Sequence, residues 1–139
     1  MFKNILLPMD LTDRHTTALQ VAAGLASQGG GEVTLLHVIE VIPGLSREEE
    51  ATFYGRLERK ATAHLERWAA TLAEQRVSVK GEVVFGERVR EVVAYAAKAG
   101  IDLILLTSPR FERDKPIAGL GSLSYRIGLV CACPVLLVK

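Results

Sequence analysis

The chain alternates short apolar runs with longer amphipathic stretches. Residues 3–9 carry Ile5, Leu6 and Leu7 in succession, the pattern of a strand covered on both faces. Over 13–27, Ala18, Val21, Ala22 and Leu25 recur at helical spacing and predict a helix, which Gly29, Gly30 and Gly31 end. A second buried strand is expected over 33–39. After the turn marked by Pro43 and Gly44, Ser46-Arg47-Glu48-Glu49 reads as a capping box opening a long helix. Its apolar stripe, expected in the core, is Tyr54, Leu57, Ala61, Leu65, Trp68 and Leu72. Residues 77–85 alternate Val77, Val79, Gly81 and Val83 with polar positions, as a half-exposed edge strand does. A third helix over 88–98 turns Val89, Val92, Val93 and Ala96 inward, and a fourth strand follows over 103–106. An irregular segment over 108–120 leads to a short helix over 122–131. The last strand runs over 135–138, behind Pro134, which is tolerable at a strand's first position.

The order βαβαβαβαβ predicts an α/β fold, a doubly wound five-stranded parallel sheet with helices on both faces, in one domain spanning residues 1–139. We expect the strand order 3-2-1-4-5. In such sheets a ligand crevice lies beyond the carboxyl ends of the strands, where the order reverses. That places Asp10, residues 38–40 and residues 107–122 around the candidate site.

Composition narrows the function. The chain has 139 residues, 49% hydrophobic and 24% charged, with a net charge of +1. Such a balance argues against a dedicated nucleic-acid binder, which needs a concentrated field of Lys and Arg. No apolar run reaches the roughly 18 residues of a membrane span. The opening segment, interrupted by Pro8 and Asp10, does not read as a signal peptide. The expectation is a cytoplasmic protein with neither nucleic-acid nor membrane partners. Cys131 and Cys133 make no disulfide framework and are expected to pack as small hydrophobes. No His/Cys/Asp spacing suits a metal ion. The sequence contains no G-x-x-x-x-G-K-[ST], no G-x-G-x-x-G, no G-x-S-x-G, no S-G-G-x-D-S and no H-I-G-H. No catalytic residue is assigned on these grounds, and a non-enzymatic role is expected.

Four stretches in this order carry a resemblance: Ile5-Leu6-Leu7-Pro8-Met9-Asp10, Leu35-Leu36-His37-Val38, Gly86 through Asp102-Leu103-Ile104, and Gly121-Ser122 through Cys133-Pro134-Val135-Leu136-Leu137-Val138. Together they resemble the universal stress protein family over essentially the whole chain. The resemblance implies a stress-adaptation protein, commonly a homodimer, some members of which bind ATP. It implies that Asp10 holds the ribose and adenine side of a nucleotide and that the backbone of Val38 contacts the adenine. The phosphates would rest on G-x-x-G, nine residues, then G-S or G-T. Here only Gly121-Ser122 is kept. Thr107-Ser108-Pro109-Arg110 stands in place of G-x-x-G, with ten residues before Gly121, and strict spacing lands instead on Ser108 and Phe111. ATP with magnesium is the cofactor the resemblance implies. Thr107, Arg110, Gly121 and Ser122 join Asp10 and Val38 as its candidate contacts.

Two readings follow. One is a non-enzymatic stress-response or regulatory homodimer, with a regulatory protein partner and weak nucleotide binding. The other is an ATP-binding member with at most slow hydrolysis. Pro109 and the bulky Arg110 and Phe111 remove an N–H donor and the close backbone approach that glycines allow. Arg110, Arg113 and Lys115 supply positive charge nearby, diluted by Glu112 and Asp114. Asp10 has two roles open to it, facing a ligand or hydrogen-bonding across the sheet ends. His15 stands where it can reach the crevice rim, His37 is expected packed and hydrogen-bonded, and His64 on the solvent side of its helix. The apolar last strand, with only Pro134 and Lys139 to blunt it, is expected to pair with its mate in a second copy. The competing arrangement folds residues 108–120 over that edge and leaves a monomer.

Overall fold

The computed structural model describes residues 1–108 and 123–139. Its elements are β1 (Asn4–Pro8), a 3-10 turn (Asp13–His15), α1 (Thr16–Gly29), β2 (Glu32–Ile39), α2 (Arg47–Ala73), β3 (Ser78–Phe85), α3 (Arg88–Lys98), β4 (Leu103–Thr107), α4 (Leu123–Val130) and β5 (Val135–Val138). All neighbouring strands are parallel and their order is β3-β2-β1-β4-β5, as the alternation of elements predicts.

The period of two in β1 sends successive side chains to opposite faces. Ile5 and Leu7 join a cluster with α1 and α2, through Ala22 and Leu65 among others. Leu6 joins a second cluster with α3 and α4, through Val92 and Ile127. A strand buried on both faces therefore needs an unbroken apolar run, which is what its sequence supplies.

Local signals set the helix ends. Ser46 Oγ accepts from Glu49 N–H at 3.1 Å and starts α2. Glu87 caps α3, accepting from Val89 N–H and Arg90 N–H at 3.2 and 2.9 Å. Gly30 ends α1 in the left-handed conformation, φ 65°. At the start of the first helical segment the chain tightens into the 3-10 turn, so the α-helix begins later than its apolar spacing suggests.

Two expectations on α2 are corrected. Tyr54 and Trp68 are half-buried rather than in the core. Each has a polar tip that requires a partner, Tyr54 Oη taking Ile42 N–H at 2.6 Å and Trp68 Nε1 donating to His64 Nε2 at 3.0 Å. That second bond, one helical turn long, also draws His64 out of the solvent position expected for it. β3 is the half-exposed edge its alternation predicts.

Candidate functional site

β1, β2 and β4 end side by side, and a cavity of about 120 Å³ opens beyond their carboxyl ends. Met9, Asp10, Arg14, His15, Leu36, His37, Val38, Arg88, Val92, Leu106, Thr107, Leu123 and Ser124 contribute to its lining. Of the residues singled out from sequence, Asp10, Val38 and Thr107 thus meet in one place. Arg110, Gly121 and Ser122 lie outside the described residues.

Asp10 leaves β1 and turns the chain. Its Oδ1 accepts from the N–H and hydroxyl of Thr12, an Asx-type turn that opens the 3-10 segment. Its Oδ2 accepts from Arg14 Nε at 3.0 Å. The turn then delivers His15, which is 2% exposed, between two partners. Nε2 lies 2.8 Å from Asp10 Oδ1, and Nδ1 lies 2.7 Å from Thr107 Oγ1 at the end of β4. Asp10, His15 and Thr107 form one continuous chain of hydrogen bonds across the strand ends. Sequence reasoning brought His15 only to the crevice rim; the structure makes it the buried centre of the site.

Electrostatics assign the protons. Burial pushes the Asp10 carboxyl up, but hydrogen bonds from Thr12 and His15 together outweigh it and hold the group well below the usual carboxylate range. Burial is also the largest influence on His15 and lowers its proton affinity, against the pull of Asp10. The site therefore holds an ionised Asp10 beside a neutral imidazole. Asp10 N–H also approaches Nε2, at 3.2 Å. With the carboxylate closer, at 2.8 Å, a lone pair on Nε2 would be repelled, so we assign the proton to Nε2. Nδ1 then accepts from the Thr107 hydroxyl, whose oxygen keeps its lone pairs.

Further residues complete the cavity. His37 Nδ1 donates to the Met9 carbonyl at 2.9 Å, the packed and hydrogen-bonded state expected of it. Arg14 and Arg88 bring positive charge, each with a carboxylate nearby: Asp10 at 3.0 Å and Glu40 at 3.7 Å. Periodicity did not mark these arginines, because both sit just beyond strand ends. Ser124 Oγ is 3.4 Å from the Thr107 carbonyl oxygen and donates to it. Among the described residues no group of three or more His, Cys, Asp and Glu is placed to hold a metal ion, and no helix is long and apolar enough to cross a membrane. Cys131 and Cys133 are free thiols with sulfurs 3.4 Å apart, half-buried beside Val135 and Ile104. Burial, with Cys131 beside it, pushes the Cys133 thiol up to about 11.

Comparison with known proteins places these features in a family. The chain is 26% identical to universal stress protein YxiE of Bacillus subtilis over 152 aligned positions, covering the whole of both. The solved structure of MJ0577, a universal stress protein of Methanocaldococcus jannaschii, superposes with a TM-score of 0.83 at 28% identity, covering 100% of this chain and 96% of that one. The universal stress protein from Archaeoglobus fulgidus in complex with dAMP shares the fold, with a TM-score of 0.73 at 18% identity over 99% of this chain and 98% of its own. The model of the universal stress protein family matches residues 1–139. The chain belongs to the universal stress protein family.

Proposed function

We propose that this protein is a homodimeric stress-response regulator whose crevice binds a nucleotide weakly, as a signal and not as a substrate. The observation that carries this reading is the position of Asp10: an ionised carboxylate at the mouth of the cavity, with Val38 and Thr107 beside it. A carboxylate so placed accepts from a sugar hydroxyl of a nucleotide. The structure of a family relative in complex with dAMP supports the same ligand class.

The nucleoside end of ATP fits these residues better than the whole molecule does. The described cavity, about 120 Å³, is below the roughly 300–1,000 Å³ of small-molecule sites. Both Asp10 oxygens are already engaged, Oδ1 by Thr12 and His15 and Oδ2 by Arg14. A ribose hydroxyl must therefore share Oδ2 with Arg14 or displace it, which lowers the net gain. Thr107 stands in place of the family motif's first glycine in one alignment, Ser108 in the strictly spaced one. The Thr107 hydroxyl is committed to His15, so it offers an incoming phosphate lone pairs and no proton. Arg110, Gly121 and Ser122 would meet the phosphates, with magnesium between them if ATP is the ligand. Slow hydrolysis, the second reading, is not assigned to any of the described residues.

Dimerisation is proposed through β5. Among the described residues this outer strand pairs only with β4, and Leu136 and Leu137 are exposed along it with Tyr125 and Leu129 beside Leu137. Residues 109–120, which the competing arrangement folds over this edge, lie outside the described residues. A second copy supplies both an antiparallel partner for the edge and cover for the apolar side chains.

Titration calorimetry with ATP plus magnesium, and with AMP alone, tests the ligand. We expect micromolar or weaker binding that Asp10→Ala reduces at least tenfold. Binding unchanged by Asp10→Ala would place the ligand elsewhere.

A further inference from the structure

We propose that the Thr107 hydroxyl is an activated nucleophile that accepts a small acyl group from an activated ester or thioester, with His15 as its base and Asp10 orienting that base. The idea is independent of nucleotide binding.

The geometry is that of a relay. A hydroxyl becomes nucleophilic when a base lies within hydrogen-bond reach and a third group holds the base in one tautomer. Thr107 Oγ1 is 2.7 Å from His15 Nδ1, and His15 Nε2 is 2.8 Å from Asp10 Oδ1. The ionised carboxylate fixes the proton on Nε2, so Nδ1 faces the hydroxyl with its lone pair. The imidazole cannot swing away, being 2% exposed and held at both ends.

The support is rigid as well. Thr107 is the last residue of β4, opposite Val138 of β5. The next residue, Ser108, donates its N–H to the Val138 carbonyl at 2.7 Å. Ser124 Oγ holds the Thr107 carbonyl. A site carried on a strand end is held more precisely than one on a loop.

The cavity selects the electrophile. It is small, about 120 Å³, and Leu36, Val38, Val92, Leu106 and Leu123 form much of its wall. That space suits a short acyl chain with a neutral carbonyl. In the step, Oγ1 attacks the carbonyl carbon and forms the new C–O bond while its proton passes to His15 Nδ1. The tetrahedral adduct then breaks its bond to the leaving oxygen or sulfur, which takes the proton back from His15. The products are an ester on Thr107 and a free alcohol or thiol. No oxidant or reductant takes part.

The test uses the full chain and p-nitrophenyl acetate, without nucleotide. Release of p-nitrophenolate is followed by absorbance, and the acetyl group is located by peptide mass spectrometry. We expect one acetyl per chain on Thr107, retained in Thr107→Ser and lost in Thr107→Val. Removing the base in His15→Gln should slow the step about 100-fold, the lower range for a positioned general base. Circular dichroism melts establish that each variant is folded. Should His15→Gln not fold, the wild-type pH profile replaces it, with a rate that follows deprotonation of a single group and then levels. Acetyl groups on lysines with Thr107 unmodified would overturn the proposal. Equal rates in wild type and folded His15→Gln would do so too, as would a pH profile that never levels.

Discussion

His37 Nδ1 donates to the Met9 carbonyl at 2.9 Å, while Met9 donates its own N–H to the Leu36 carbonyl at the same distance. The two bonds lock the exit of β1 onto β2 immediately before Asp10. Replacing His37 by Phe keeps the bulk and removes one bond, so we expect a loss of about 1 kcal/mol in urea unfolding. An unchanged midpoint would mean that the Met9 carbonyl finds water just as readily.

Gly86 joins β3 to α3 with φ 148°, and a Cβ built there would meet Glu91 Oε1 at 2.6 Å. Its N–H also bonds the Ile39 carbonyl at 3.0 Å, which fixes the turn. Gly86→Ala should cost about 1–3 kcal/mol. Adding Glu91→Ala relieves the clash but leaves the backbone strain, so the double variant should recover only part of the loss. Full recovery in chemical denaturation would show that the conformation itself is cheap.

Acid should weaken the fold in two windows. His15 has its proton affinity lowered by burial, so below the ordinary histidine value of 6.5 the unfolded chain binds a proton that the folded chain refuses. Stability falls as pH drops from above 6.5 through the lower folded value. Asp10 is depressed as well, so its contribution is present above the ordinary value of 3.8 and lost as pH falls through its own folded value. Urea midpoints measured on either side of the histidine range should differ less in His15→Gln than in wild type. Equal differences would assign the upper window to other groups.

Light scattering should give twice the 15.1 kDa chain mass, and Leu136→Pro should lower it. Proline removes one N–H from β5. Within the monomer Leu136 lies opposite Leu105, so circular dichroism must first establish that the variant is folded. A wild-type mass of one chain at high micromolar concentration would end the dimer proposal. A folded Leu136→Pro dimer would move the interface away from β5.

The sequence carried the sheet well because burial on both faces demands continuous apolar runs, and Ile5 to Leu7 or Leu103 to Leu106 cannot be mistaken for surface. It carried the site only in part. Asp10, Val38 and Thr107 were picked out by the crevice rule and the family motif, and the structure brings them to one cavity. His15 was read only as far as the crevice rim, since its burial cannot be seen until the turn after Asp10 is known. The five-residue separation of Asp10 from His15 becomes meaningful only once the Asx turn brings them to 2.8 Å. Tyr54 and Trp68 were over-read for a related reason: helical spacing gives a direction but not how much protein lies in that direction.

β1 divides its three central side chains between the two hydrophobic clusters, Ile5 and Leu7 to one side and Leu6 to the other. Neither helical layer can therefore come loose while the other stays intact without stripping cover from the same short strand. We expect the two cores to melt as one body. Their common strand is also the one that leads, two residues past its end at Pro8, into Asp10, so the crevice has no private stability of its own. The amides of Ile5, Leu6 and Leu7 should exchange with solvent only when the whole molecule opens.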